Sequence, residues 1–344
     1  QRNCASGMES IADAHLKVAT GQAELILAGG TESMSLIPLL VSDGMTHMFD
    51  RLMRAKSPGQ KLAAVASLRP RDFQPRVAIA EGLTDPVSGL NMGETAEVLA
   101  KEFGISREAQ DDFALTSHRR AVAAMESGRM AQEIVPVFAP PYKQAVTEDV
   151  GPRRGQTLEA LAKLKPYFDR KYGTVTVGNS CPITDGAAAV LVASTEKAKE
   201  LGLRAAARIK GYAFVGLDPA RMGLGPTHAT PVALKRAGVS FRDIGLIELN
   251  EAFAAQVIAN EIAMASAKYC REKLGLDGAI GEIDRSILNV NGGAIALGHP
   301  VGVSGTRLTL TLIREMRKRD VPLGLATLCV GGGQGAALVL ERAA

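Results

Sequence analysis

The sequence has no tryptophan, and aromatic residues make up only 4% of its 344 positions. Stacking platforms for bases or sugars are therefore scarce. Charge of one sign is lacking too. Forty Lys+Arg stand against 36 Asp+Glu, a balance that by itself makes no case for nucleic acid. Cysteine is sparse. The four thiols, at positions 4, 181, 270 and 329, form no CxxC pair, so neither a zinc ribbon nor a dithiol redox motif is visible and no metal site is expected. Four cysteines in a chain of this length make no disulfide framework, which points to a reducing compartment. Long apolar runs are missing as well. The uncharged stretches 286–306 and 321–340 are interrupted by glycines, and read as buried strands with functional loops, not membrane helices.

Hydrophobic residues at 46% and charged residues at 22% are the balance of a globular protein. The length exceeds one ordinary core and predicts two domains. Glycine is abundant, at 36 residues, which suits tight turns and close backbone approach near a ligand.

Apolar positions Met8, Ile11, Ala12 and Leu16 fall near helical spacing over 6–19, and a strand is expected over 24–28 before Gly29-Gly30. The same order recurs near the C-terminus: a helix from Ser304 to about Lys318, a strand over 324–328, then Gly331-Gly332. This weak repeat suggests two related α/β halves whose glycine loops meet at one site. Between them, 31–170 reads as a mostly helical insertion, with Ser106 capping a helix that Gly128 ends. Gly173–Val177 shows the alternation of a strand, while periodicity leaves 186–192 open between helix and strand.

Four segments bear on chemistry. Cys4 precedes a helix, whose free N–H groups favour a thiolate; the alternative is a small buried hydrophobe. His299, flanked by Gly298 and Pro300 on a strand-end loop, is a catalytic candidate or a structural histidine. Cys329 ends a strand before Val330-Gly331-Gly332-Gly333, a turn that either aims N–H groups at an anion or is simply tight. Asn250, closing the apolar run Ile244–Leu249, caps the next helix or holds a water.

Taken together, Asn3-Cys4-Ala5-Ser6-Gly7, Asn250-Glu251-Ala252-Phe253-Ala254, Gly298-His299-Pro300 and Cys329-Val330-Gly331-Gly332-Gly333 resemble the thiolase family, in that family's order. Gly29–Ser35, Asn91–Glu97, Gly173–Thr176 with Asn179-Ser180, and Thr184–Ala187 agree, so the resemblance spans residues 1–341. Members of the family carry strands and helices ahead of the nucleophile segment, with which this sequence opens. The resemblance therefore implies a thiolase lacking the first part of its N-terminal domain.

The implied fold is α/β and thiolase-like: two similar mixed-sheet domains, each of five strands, in a layered αβαβα arrangement with a helical loop insertion. Residues 1–35 and 171–195 would be the remainder of the N-terminal domain. Residues 36–170, with 205–235, would form a CoA-binding loop domain, and 196–344 the C-terminal domain. The implied reaction is thiolytic cleavage of a 3-ketoacyl-CoA to acetyl-CoA and a shortened acyl-CoA, of the fatty-acid β-oxidation type. In it Cys4 is acylated, His299 takes the Cys4 proton, and Cys329 moves the proton at the acetyl carbon. One oxyanion would sit on His299 and a water held by Asn250, the other on the N–H groups of Cys4 and Gly331. Met92, Thr230, Ala252 and Phe253 would contact the substrate; CoA and acyl-CoA are substrates and no cofactor is expected.

The segments Phe138–Lys143 and Arg271-Glu272-Lys273 resemble the thiolase subunit of β-oxidation complexes, although that subgroup often has His where this chain has Asn250. The alternatives are a biosynthetic acetoacetyl-CoA thiolase and, of another class, an inactive truncated thiolase-like scaffold or binding subunit. A homodimer or tetramer and a hydratase–dehydrogenase partner subunit are implied. The location would be cytoplasmic in a bacterium and an organelle matrix in a eukaryote. Finally, residues 47–76 hold seven Lys and Arg against Asp50 and Asp72, interleaved with apolar residues. This reads as a solvated cationic face or as an amphipathic basic helix pair for weak peripheral membrane contact or an acidic partner.

Overall fold

The computed structural model describes residues 1–343. Helix α1, Ser6–Ala19, turns Gly7, Met8, Ile11, Ala12 and Ala14 inward, as its spacing predicts. After a turn at Gly21 (φ 72°), strand β1 runs Leu25–Ser33.

Residues Met34–Thr84 form a separate compact unit. In it the two-residue strands β2, Leu39–Leu40, and β3, Arg76–Val77, pair antiparallel around helices α2, Asp43–Arg54, and α3, Pro58–Ala66; α4, Ala78–Gly82, follows. Ser42 accepts from the Met45 N–H to cap α2, and Ser57 with Gln60 forms a capping box on α3. The basic stretch is thus a helix pair, with Met48 and Ala64 buried and Phe49, Met53, Leu62 and Val65 exposed. The unit is narrower than the loop domain expected over 36–170, because residues from Asp85 onward cluster with the larger unit.

In the larger unit, α5, Met92–Glu102, starts at an Asn91/Glu94 capping box. Helix α6, Arg107–Glu126, starts where the Ser106 hydroxyl accepts from the Ala109 N–H. A short hairpin, β4 (Val137–Phe138) with β5 (Ala145–Val146), and helix α7, Leu158–Ala162, come next. Gly173–Val177 is not a strand. The N–H groups of Thr174 and Val175 donate to the Glu97 carboxylate at 2.9 and 2.8 Å, so a side chain on α5 takes the place of a neighbouring strand. Residues Asp185–Ala193 resolve as strand β6, antiparallel to β1 with Leu25 opposite Ala193.

Helix α8, Thr195–Glu200, leads to β7, Ala207–Gly216, and α9, Gly225–Ala237. Then come β8, Leu246–Leu249; α10, Ala254–Ala265; α11, Ala267–Leu274; the single turn α12, Ala294–Leu297; α13, Ser304–Arg319; β9, Leu323–Val330; and β10, Gln334–Arg342. The sheet order is β7-β10-β9-β8, with β8 parallel to β9 and the other pairs antiparallel. Residues 205–235, expected with the loop domain, instead supply the edge strand β7 and helix α9, which packs on β7, β10 and β9. The fifth strand expected in this half is reduced to one parallel bridge, Ile247 to Leu288, because the chain turns at Asn289 (φ 43°). In the N-terminal half the described residues give two strands, β1 and β6.

The repeat in the sequence is visible as α1 and α13 lying against each other, α1 also against β1 and β6, and α13 also against β8, β9, β10 and β6. Small residues are required where they touch. A Cβ on Gly7 would stand 2.8 Å from the Thr306 backbone nitrogen, and one on Gly305 would stand 2.8 Å from the Met8 Cβ. The apolar layer formed with Met8, Ile11, Leu308, Leu312, Ala326 and Leu328 carries the candidate site at its edge.

Candidate active site

Cys4 lies in the 3-10 turn Asn3–Ala5 that leads into α1, and that turn is pinned to the β9–β10 turn. The Asn3 amide donates to the Gly331 carbonyl at 3.0 Å, and the Arg2 guanidinium donates to Gln334 Oε1 at 2.9 Å while lying over the Phe214 ring. Gly332 and Gly333, at φ 86° and 74°, turn the chain back, which only glycine does without strain. The backbone N–H groups of Gly331 and of Cys4 itself thereby lie near the Cys4 sulfur and favour its thiolate form. These two N–H groups pull the thiol down, but burial acts more strongly and holds it above its usual range. The thiolate expected from the helix N-terminus is thereby corrected: desolvation outweighs the helix end.

Cys329 ends β9 at 2% exposure, in a cluster with Ala252, Phe253 and, at its margin, Met92. Its thiol is also raised, first by burial and then by the neighbouring Cys4 and Cys181. Met92 meets the glycine turn as well, since a Cβ on Gly331 would lie 3.3 Å from its sulfur. Three of the four expected substrate contacts thus surround Cys329. The fourth, Thr230, is fully buried on α9, and its hydroxyl has no hydrogen-bond partner among the described residues. Its helix reaches the site through Gly225, where a Cβ would stand 3.1 Å from the Cys329 Cα.

His299 is buried between Gly298 and Pro300, and its Nδ1 is 2.6 Å from the Ser304 hydroxyl. Burial, and secondarily the Arg307 charge, lower its pKa to about 4, so the imidazole is neutral at pH 7. Asn250 is fully buried, its backbone N–H donating to the Thr327 carbonyl at 3.0 Å. It does not cap α10; Phe253 holds that position. Both polar atoms of its side chain lack protein partners among the described residues, a state that suits a water or ligand oxygen.

Residues that sequence reasoning passed over complete the surroundings. Glu251 accepts from Ser117 Oγ at 2.6 Å, Asn289 Nδ2 at 2.9 Å and the Ile295 N–H at 3.2 Å. Gln256, in the first turn of α10, has both side-chain polar atoms buried without partners among the described residues. Cys181 raises the pKa of Cys329, and the Cys181 thiol is itself pushed up to about 12, first by burial and then by Cys4. Only the Asn250-Glu251 motif signalled any of these; Cys181 is brought in by its N–H, which donates to the Ala252 carbonyl at 3.0 Å. Cys270 is buried on α11 and its sulfur faces the Ala263 carbonyl.

Cys4, Cys181 and Cys329 thus neighbour one another beside the N–H groups of Gly331 and Cys4, a set of groups suited to acyl transfer through a thioester. Comparison with known proteins agrees. The model of the thiolase N-terminal domain matches residues 1–196, and that of the thiolase C-terminal domain matches residues 203–342. The chain is 43% identical to a 3-ketoacyl-CoA thiolase of Pectobacterium atrosepticum over 341 residues, 99% of this chain and 77% of that protein. It is similar to the human mitochondrial 3-ketoacyl-CoA thiolase solved with CoA, at 38% identity and TM-score 0.83, over 100% of this chain and 77% of that one. It is equally similar in fold to an acetyl-CoA acetyltransferase of Bacillus anthracis, at 39% identity and TM-score 0.83, over 100% and 78%. With both domain models matched along almost its whole length, the chain belongs to the thiolase family.

Proposed function

We propose that this chain is an acyltransferase that cleaves 3-ketoacyl-CoA with CoA to acetyl-CoA and a shortened acyl-CoA, as in fatty-acid β-oxidation. The observation that carries the reading is the Gly331 N–H directed at the Cys4 sulfur, beside Cys329. In this reading Cys4 attacks the 3-keto carbon as His299 takes its proton, and the acyl group stays on sulfur. The departing acetyl-CoA carbanion is held as an enolate by His299 and a water on Asn250, and Cys329 protonates it. CoA then enters, Cys329 accepts its thiol proton, the CoA sulfur takes the acyl group from Cys4, and the Cys4 sulfur, as leaving group, recovers its proton from His299. The carbonyl oxygen bound to Cys4 is held in each step by the N–H groups of Cys4 and Gly331. Met92, Ala252 and Phe253 supply apolar walls, with Thr230 behind them.

CoA and acyl-CoA serve as substrates and no cofactor takes part. The domain scheme keeps residues 1–35 and 171–195 with the N-terminal half and 196–344 as the C-terminal half, the family models dividing at 196 and 203. A homodimer or tetramer, a hydratase–dehydrogenase partner, and weak membrane contact through 47–76 extend the reading. The exposed Phe49 and Met53 beside Arg51 support the last of these. A bacterial chain would work in the cytoplasm and a eukaryotic one in an organelle matrix; among the described residues no helix is long and apolar enough to cross a membrane.

The similarity to an acetyl-CoA acetyltransferase supports acetoacetyl-CoA as a substrate of the same site. Loss of enolate absorbance from acetoacetyl-CoA and from a longer 3-ketoacyl-CoA, each with CoA added, tests the reading. Turnover abolished by Cys4→Ser is expected. No turnover of either substrate would instead support a catalytically silent scaffold.

A further inference from the structure

We propose that Ser304 is a positioning residue that fixes which nitrogen of His299 carries the proton. The inference deepens the acyltransferase reading, in which His299 is the base toward Cys4, and rests on it. Ser304 opens α13 and is fully buried, and His299 is 6% exposed, so solvent has little part in the choice. The Ser304 oxygen is 2.6 Å from His299 Nδ1 and 3.1 Å from the Pro300 carbonyl oxygen. A hydroxyl has one proton, and a carbonyl oxygen can only accept. The bond to Pro300 uses that proton, so the short contact is Nδ1–H donating to the Ser304 oxygen. A neutral imidazole with its proton on Nδ1 has its lone pair on Nε2, the nitrogen then able to take a proton.

The reverse arrangement, with the hydroxyl donating to Nδ1, would put the ring proton on Nε2 and turn a base into a donor. It would also strip the Pro300 carbonyl of this bond. The placement of Ser304 holds the useful form: the first turn of α13 lies against α1 at the close approach of Gly7 to Thr306, where side chains have little room to turn. A partner on the far nitrogen of an imidazole typically sets both its tautomer and its ring orientation.

The test uses the full chain labelled with 15N-histidine, which holds only five histidines, with His299→Asn to assign the signal. Wild type is expected to show a neutral His299 with its proton on Nδ1. In Ser304→Ala the proton should redistribute toward Nε2, and kcat for acetoacetyl-CoA thiolysis should fall about tenfold to a hundredfold with KM changed less than about twofold. Ser304→Thr, which keeps the hydroxyl, should restore the tautomer and most of the rate. A proton on Nε2 in wild type overturns the proposal, and so does a Ser304→Ala protein with unchanged tautomer. If Ser304→Ala does not fold, the wild-type tautomer and Ser304→Thr still decide. A tautomer that moves without slowing thiolysis would uphold the positioning and remove His299 from the reaction.

Discussion

The side-chain amide of Asn289 donates to the Glu251 carboxylate at 2.9 Å, and with its other bonds it pairs both backbone groups of Leu249 at 2.8 Å. These two residues tie the end of β8, where Asn250 sits, to the loop that continues through α12 to His299. Glu251 also accepts from Ser117 and Ile295, and burial still raises its pKa above the ordinary carboxylate value. Glu251→Gln replaces one acceptor oxygen by a donor facing donors. It should therefore destabilise by about 1–3 kcal/mol in chemical denaturation. Wild-type stability in that variant would show that the network carries no weight.

Cys4 and His299, the nucleophile and base of the proposed reaction, both rest uncharged. Burial raises Cys4 despite the two N–H groups on its sulfur, and burial lowers His299 to about 4. The proton should leave Cys4 as the sulfur attacks, without a standing thiolate. Alkylation of Cys4 by iodoacetamide is then expected to keep accelerating as pH rises past about 8.5, the ordinary thiol value. A rate that levels off near neutrality would mark a thiolate–imidazolium pair and contradict this account.

Glu248, on β8, is 2% exposed and its carboxyl is pushed up to about 8, first by burial, with the Arg307 charge opposing. Its folded pKa lies above the unfolded value of 4.5, so the folded protein retains a proton that the unfolded chain releases between those values. Stability from this group is complete below pH 4.5 and lost as pH rises toward 8. Glu248→Gln should thus gain on wild type as pH rises through that window, by on the order of a few kcal/mol in total. A stability difference that stays flat from pH 5 to pH 8 would rule out a protonated Glu248.

Cys4, His299 and Cys329 are legible in the sequence because each stands in a short motif of residues with a strong local preference. Helix α1, helix α6 with its Ser106 cap, and the α13–β9 order are legible for the same reason. What escapes depends on partners far along the chain. The strand pattern of Gly173–Val177 is overruled by Glu97, some 77 residues away, and the acidity expected of Cys4 by the desolvation of its sulfur against the packed β9–β10 turn. Cys181 carries no motif at all and joins the site through pairing with Ala252. The reach of the compact unit Met34–Thr84 follows from long-range packing of α5 and α6 against α10, which no local signal records.

The acylated residue tests the account most directly. The protein is incubated with an acyl-CoA, quenched in acid, digested and read by mass spectrometry for the acyl mass on each of its four cysteine-containing regions. The account predicts the acyl group on Cys4, with Cys181, Cys270 and Cys329 unmodified, and none in Cys4→Ser. An acyl group on Cys329 or Cys181, or retained labelling in Cys4→Ser, would contradict it.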